Sequence, residues 1–254
     1  MTRGRPQAEP QVICGINAVG ALLERSPERV LKVFVQDNLG PKRLGRIGER
    51  LDRAHAEVRR VGAARLDELA GTAKHQGVAA LVSPSTMLGE AEAHARIQQL
   101  ECPLILVLDG IEDPRNFGAC LRSADAAGAD LVVTARSRNV GMTAVVSKVA
   151  SGAAEAQPVA QVGNLARFMD FMRDTGIWLV GADGAADTTL FGTDLVQPVG
   201  LVLGAEGRGL RRLTRERCDT LVSLPMLGTV ESLNISVAAG ICLYEAVRQR
   251  GPLP

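Results

Sequence analysis

Apolar positions follow two different rhythms along this chain. From Pro103 onward, short runs that are almost uninterruptedly apolar, Leu104–Leu108, Leu131–Thr134, Ile177–Ala182, Val199–Leu203 and Thr220–Leu224, alternate with longer stretches at Phe117–Ala127, Ala144–Ser151, Leu165–Asp174 and Asn234–Arg248. The longer stretches repeat their apolar residues every three or four positions. Continuous apolar strands separated by amphipathic helices predict a doubly wound α/β domain with a parallel sheet covered on both faces. The last helix is the most regular, with Ile235, Ala238, Ala239, Cys242, Leu243 and Ala246 forming one stripe. Pro225 stops the strand before it, because proline has no N–H to give a ladder, and Gly228 lets the loop turn.

Residues 12–82 have shorter periods. Gly15 to Leu23 reads as a helix, Leu31 to Val35 as a strand, Lys42 to Ala54 as a basic helix, and Ala56 to Val61 and Val78 to Val82 as strands, together a small N-terminal α/β domain. Ser83 to Glu101 begins with Ser-Pro-Ser and continues rich in Ala, Glu and Gln. It is predicted to be a partly helical linker. The expected organisation is therefore a disordered N-terminus at 1–11, a small α/β domain at 12–82, a linker at 83–102 and a doubly wound α/β domain at 103–254.

Charge distribution separates the two halves. Residues 1–82 carry 14 Lys/Arg against 9 Asp/Glu, a surplus of five positive charges, whereas residues 83–254 carry 15 against 19. A basic module joined to a slightly acidic one fits a polyanion holder attached to something else. Arg43, Arg46, Arg50 and Arg53 recur on one helix face where phosphates could be met, and His75 lies on a loop that could touch RNA. Aromatic residues are only 3% of the chain, so base stacking is not the expected grip. No apolar run approaches a membrane span and the polar start lacks an export signal, which predicts a cytoplasmic protein without membrane contact. The five cysteines are scattered through apolar patterns, predicting buried reduced thiols with neither a disulfide framework nor a metal site.

Candidate chemistry lies in three loops at strand ends. The first, Asp109 to Arg122, carries Asn116 where a helix starts and Arg122 two turns into it. Asn116 there suits an N-cap, while an arginine beside packed positions usually has an anionic partner. The second, Gly204 to Leu210, has the order G-x-x-G-x-G with Glu206 where a pyrophosphate would have to approach, unlike a dinucleotide fingerprint. The third, Leu224 to Ser236, carries Ser232 and Asn234, either of which could be an N-cap. The chain has no G-x-S-x-G, H-E-x-x-H, C-x-x-C or P-loop, so hydrolase, metal and NTPase readings find no support.

The stretches DGIEDPRNFGACLRSADAAGAD, LVLGAEGRGL and LPMLGTVESLNISVAAGICLYEAVRQR resemble, in order and spacing, the three motifs of the SpoU/TrmH family of RNA ribose 2′-O-methyltransferases. VICGINAVGALLE and HQGVAALV resemble the substrate-binding domain that precedes the catalytic domain in some members. The likeness covers nearly the whole chain and is greatest to the branch that methylates a guanosine in the peptidyl-transferase region of large-subunit ribosomal RNA. Asn17 departs from that branch, where histidine is expected, which bears on substrate contacts and not on chemistry.

The resemblance implies a C-terminal SPOUT-type domain with a trefoil knot, a homodimer, and S-adenosylmethionine in a pocket lined by knot backbone. On matching positions Gly204, Leu224 and Leu233 would bind the cofactor, with Leu203 and Met226 as neighbours. It also implies catalytic roles for Arg122, Asn116, Glu206, Ser232 and Asn234. Methyl transfer needs the ribose 2′-oxygen in line with the methyl carbon and sulfur, roughly 3–3.5 Å away before attack. Family proposals make the arginine at Arg122 the proton acceptor, but a guanidinium resists deprotonation. The expectation here is that Arg122 stabilises the developing alkoxide and a neighbouring RNA phosphate. Glu206 would orient Arg122 through a charge-assisted pair, and Asn116, Ser232 and Asn234 would place the ribose. The expected substrate is large-subunit (23S) ribosomal RNA, free or in an assembling particle. The alternatives are the same chemistry on transfer RNA or another ribosomal site, a non-catalytic RNA-binding or ribosome-assembly protein, and, more distantly, a Rossmann dehydrogenase.

Overall fold

Residues 10–83, 87–137 and 139–251 are described by the structure, a computed structural model. Contacts divide the chain into two units, residues 1–86 with 150–156 and residues 87–149 with 157–254. The elements run β1 (Gln11–Cys14), α1 (Ile16–Arg25), β2 (Val30–Gln36), α2 (Pro41–Arg53), β3 (Val58–Val61), α3 (Ala63–Ala70) and β4 (Val78–Val82). They continue with α4 (Glu90–Ile97), β5 (Leu104–Asp109), α5 (Pro114–Ala126), β6 (Leu131–Ala135), α6 (Ala144–Ala150), α7 (Ala153–Ala156) and β7 (Val159–Val162). The last are α8 (Leu165–Asp174), β8 (Trp178–Ala182), β9 (Val199–Gly204), α9 (Arg212–Arg217), β10 (Thr220–Val222) and α10 (Ile235–Arg250).

The first unit is a four-stranded sheet in the order β1-β4-β2-β3. β4 pairs antiparallel with both neighbours, and β2 pairs parallel with β3. Val33, Val35, Val78, Ala80 and Val82 face a core filled by Val19 and Leu22 of α1 and by Ile47 and Leu51 of α2. Residues 150–156 belong to this unit. Within them Glu155 is buried and pairs with Arg29, whose guanidinium also donates to the Ser83 carbonyl at 3.0 Å.

The second unit is a six-stranded parallel sheet in the order β10-β8-β9-β5-β6-β7, the doubly wound α/β architecture expected. β5 and β6 are buried at every residue, so their runs are apolar without alternation. The pleat sends Ile105 and Val107 to one face, against Phe168, Met169 and Met172 of α8. On the other face α5 and α10 pack on each other, and α10 covers β5 and β9.

Several elements differ from expectation. The segment read as a linker contains α4, whose Ala93 and Ile97, four apart, are buried in the same core as Phe168. Leu88 adds a parallel bridge to Ala160, so chain that looks polar by composition is packed through one narrow stripe. β1 and β7 were not anticipated, being only four residues each. The strand expected at Thr220–Leu224 ends at Val222. The expected disordered N-terminus lies largely outside the described residues.

Candidate active site

Three loops expected to carry chemistry converge at the carboxyl ends of β5, β8, β9 and β10, where an open parallel sheet leaves a crevice. α5 begins with Asp113 as N-cap, its carboxylate accepting from the Arg115 N–H at 2.7 Å, and Pro114 as the first helical residue. Asn116 is therefore not the cap its position suggested, and its side chain is free to turn outward. There its Oδ1 accepts from Asn234 Nδ2 at 3.0 Å.

Asn234 is the N-cap of α10. Its Oδ1 accepts from the Ser236 N–H at 2.9 Å and from the Ser236 hydroxyl at 2.6 Å. Its Nδ2 also donates to Glu206 Oε1 at 2.5 Å, and the same oxygen receives the Ile235 N–H at 3.3 Å. One asparagine thus ties the loop after β9 to the start of α5 while capping α10. The expected Glu206–Arg122 pair is not formed, because the open amides at the positive end of α10 claim the carboxylate first. Arg122 is exposed on α5 and makes no hydrogen bond or ion pair with any described residue.

Two cavities meet at Glu206. One, of about 380 Å³, is lined by all five residues expected to hold a cofactor, Leu203, Gly204, Leu224, Met226 and Leu233, and by Ser232. Asp183 and Glu231 also reach its wall; reading from motifs alone missed both, although Asp183 directly follows β8, where the carboxyl-end rule points. The other cavity, of about 270 Å³, is lined by Gly110, Glu112, Asp113, Asn116 and Arg208. Ala205, Glu206 and Ile235 are common to both.

The loop between them is closed tightly. Gly209 N–H donates to the Ala205 carbonyl at 2.9 Å, and a Cβ on Gly204 would overlap the Gly209 carbonyl group and the Leu210 nitrogen. The chain can turn this sharply only because residue 204 has no side chain. Gly110, at φ +92°, makes the opposite turn on the neighbouring strand. Asn139 braces that turn, its Oδ1 accepting from the Gly110 and Ile111 N–H groups at 3.1 and 2.7 Å. Nothing in the local motif pattern marks Asn139.

Beneath Glu206 the Cys120 thiol is pushed up to about 12, chiefly by burial and secondarily by the Glu206 charge. It is no nucleophile at neutral pH. No group of three His, Cys, Asp or Glu positioned to hold a metal occurs among the described residues, nor a helix long and apolar enough to cross a membrane.

The first unit corrects two readings. His75 is buried: its Nδ1 accepts from the Gly77 N–H at 2.9 Å and its Nε2 faces Asp67 at 2.9 Å, so it fastens the turn before β4 and offers nothing to RNA. The basic face of α2 is partly spent on carboxylates, Arg50 on Glu24 at 2.5 Å and Arg53 on Glu49 at 3.5 Å. Arg43 is exposed, and the side chain of Arg46 lies outside the described residues. Asn17 lines a separate cavity of about 450 Å³ with Ala21, Glu24 and Arg50.

The SpoU rRNA Methylase family model matches residues 103–244, and a model described as RNA 2′-O ribose methyltransferase substrate binding matches residues 12–88. A Pectobacterium atrosepticum protein named 23S rRNA (guanosine-2′-O-)-methyltransferase RlmB is 48% identical over 241 residues, 95% of this chain and 99% of that protein. The Escherichia coli (strain K12) protein of the same name is 48% identical over 240 residues, 94% of this chain and 99% of its own length. Among solved structures, the SpoU methyltransferase AviRb from Streptomyces viridochromogenes, in complex with AdoMet, is similar with a TM-score of 0.76 and 28% identity, covering 94% of this chain and 90% of that one. A family model spanning more than half of the chain, together with relatives matched nearly end to end, establishes that this chain belongs to the SpoU rRNA methylase family.

Proposed function

We propose that the protein transfers a methyl group from S-adenosylmethionine to the ribose 2′-hydroxyl of one guanosine in large-subunit (23S) ribosomal RNA. The observation that carries this reading is the junction of two cavities at Glu206, the residue that also binds Asn234, in a chain 48% identical nearly end to end to relatives named for that reaction. A methyl donor on one side and a nucleoside on the other need such a shared wall.

The larger cavity suits the cofactor chemically. Leu203, Leu224, Met226 and Leu233 offer apolar walls to an adenine, and Asp183 and Glu231 offer carboxylates to a cationic ligand. Among the described residues no Lys or Arg lines it, so a polyphosphate would find no countercharge from them there. Bound there, S-adenosylmethionine supplies an electrophilic methyl group. In the smaller cavity Asn116, held by Asn234, places the ribose, and Ser232, on the wall of the larger cavity, helps to hold the loop before α10. Arg122, exposed and unpaired with any described residue, stabilises the developing alkoxide and the adjacent phosphate. Glu206 does not orient Arg122; it fixes Asn234 and the first turn of α10.

We also propose a homodimer. α10 turns Val237 and Tyr244 outward, each about half exposed, with the half-buried Ile241 between them on the same stripe. A second copy of this helix would cover that face. The passage of the chain from edge strand β10 back to α5, past the loop after β9, supports the trefoil knot of the family. The cytoplasm, and ribosomal RNA either free or in an assembling particle, complete the reading.

The test is methyl transfer from labelled S-adenosylmethionine to ribosomal and transfer RNA from cells lacking this protein, with mapping of the alkali-resistant linkage. Label on a single guanosine of 23S RNA, lost in Arg122→Ala, is the expected result. Label on transfer RNA alone would keep the chemistry and overturn the substrate. No label on any RNA or pre-ribosomal particle would return the protein to a binding role.

A further inference from the structure

Outside the residues already discussed, Asp109 is a deeply buried charge that the proposed chemistry does not use. Asp109 is the last residue of β5, at the centre of the sheet, and is 1% exposed. A carboxylate at such a site is retained only if something answers its charge. The answer is Arg211, which it engages twice: Oδ2 accepts the Arg211 main-chain N–H at 3.0 Å, and Oδ1 lies 3.3 Å from Arg211 Nε as an ion pair without hydrogen-bond geometry.

What the pair encloses gives it meaning. Asp109 stands opposite Gly204 in the β5–β9 register, so the sheet holds one end of the 204–211 loop at Asp109. The Asp109 side chain holds the other end at Arg211. The same arginine packs beside Gly110, where an added Cβ would lie 3.3 Å from its Nη2 and 3.3 Å from Ala205 Cβ. One aspartate therefore clamps both ends of the loop that carries Glu206 and sets its distance from the turn at Gly110. A neutral acceptor would satisfy the Arg211 N–H; the charge adds hold on the guanidinium.

We propose that Asp109 and Arg211 are a positioning pair for methyl transfer, keeping Glu206 in register with Asn116 and Asn234 without touching cofactor or ribose themselves. This rests on the reading of the chain as a ribose 2′-O-methyltransferase.

The experiment is single-turnover methyl transfer to 23S RNA by the full chain, with S-adenosylmethionine affinity and thermal midpoint measured beside it, for Asp109→Asn, Arg211→Gln, Arg211→Lys and the Asp109→Asn/Arg211→Gln double variant. Asp109→Asn and Arg211→Gln are expected to lose tenfold or more in the transfer rate at saturating cofactor and RNA. Arg211→Lys, keeping the cation, stays within about threefold, and the double variant falls no further than either single. Losses that multiply in the double variant, or singles that lower only the melting midpoint, would overturn the pairing. Should Asp109→Asn not fold, the contrast between Arg211→Gln and Arg211→Lys decides alone: equal rates overturn the proposal, unequal rates in favour of Lys support it. A wild-type protein that methylates no RNA fails the functional reading itself, whereas active wild type with indifferent variants fails only the pair.

Discussion

Asn234 donates to Asn116 across 118 residues of chain at 3.0 Å, joining the cap of the last helix to the first turn of α5. Each member of this pair has a different second task, which makes their substitutions separable. Asn234 also caps α10, and loss of an N-cap costs about 0.5–2 kcal/mol. Asn234→Ala should therefore lower the melting midpoint by a few degrees and reduce methyl transfer at least tenfold. Asn116 caps nothing, so Asn116→Ala should reduce transfer without moving the midpoint. Combining them should cost less than the product of the two, since they share one contact. Fully multiplying rate losses would show that the contact is incidental.

Gly204 offers a test on the cofactor side. A Cβ there meets main chain at Gly209 and Leu210, which cannot swing away as a flexible side chain would. Overpacking of this kind costs about 1–3 kcal/mol. Where that cost falls on the loop, Gly204→Ala weakens S-adenosylmethionine by roughly 5- to 150-fold in calorimetry. Unchanged affinity would mean that the loop does not shape the cofactor wall.

Arg122 is placed for chemistry and not for stability. Exposed and unpaired with described residues, its replacement by alanine should leave the unfolding free energy within about 0.5 kcal/mol. Removing a donor to a developing oxyanion typically costs 10²–10³ in rate, so roughly that loss is expected in single-turnover transfer. A rate within threefold of wild type would exclude the alkoxide role.

The contrast between these residues shows what could be read without coordinates. The parallel sheet was legible because β5, β6 and β9 are buried along almost their whole length and are therefore nearly continuous apolar runs. The five positions expected from motif resemblance to hold a cofactor all line one cavity. Partners were not legible: Glu206 was expected to hold Arg122, yet it serves Asn234 and the Ile235 N–H. Which amide reaches a carboxylate depends on where α10 lands, and no local pattern encodes that. His75 misled for a related reason, since a loop histidine reads as exposed until Asp67 and the Gly77 N–H enclose it. α4 was expected as part of a helical linker, but its packing was hidden because two buried positions, Ala93 and Ile97, make a stripe too thin to stand out.

Three thiols give a dependence on pH. Cys120, Cys218 and Cys242 are each pushed up to about 12 from an ordinary 9.0, in every case first by burial. A raised acid binds its proton more tightly in the folded state, so the contribution is fully present below about pH 9 and is lost as pH climbs toward 12. Urea unfolding should show stability falling above pH 9, and less steeply in Cys120→Ala/Cys242→Ala after allowing for the lower starting value. At pH 8 a thiol reagent should label exposed Cys102 rapidly, partly buried Cys218 more slowly, and Cys120 and Cys242 only on unfolding. Labelling of Cys120 at the rate of Cys102 would contradict the burial.

The far end of α10 is held as firmly as its cap. Arg250 spreads its guanidinium over four main-chain carbonyls, Leu195 at 3.1 Å, Cys102 at 3.1 Å, Pro103 at 3.0 Å and Gln197 at 2.8 Å. Gln249 donates to the Thr193 carbonyl at 2.9 Å and accepts the Leu195 N–H at 2.8 Å. The helix that begins at the candidate active site is thus stapled at its last turn to the segments leading into β5 and β9. Hydrogen bonds from a charged donor are worth about 1.5–3 kcal/mol, and these share one side chain, so Arg250→Ala should cost about 2–4 kcal/mol in total. Arg250→Lys should recover only part of it, because an ammonium cannot fan across four acceptors. Cofactor affinity measured well below the unfolding transition should stay near wild type, since the cap at Asn234 is untouched. A large loss of affinity in folded Arg250→Ala would instead mean that α10 transmits strain along its whole length to Glu206.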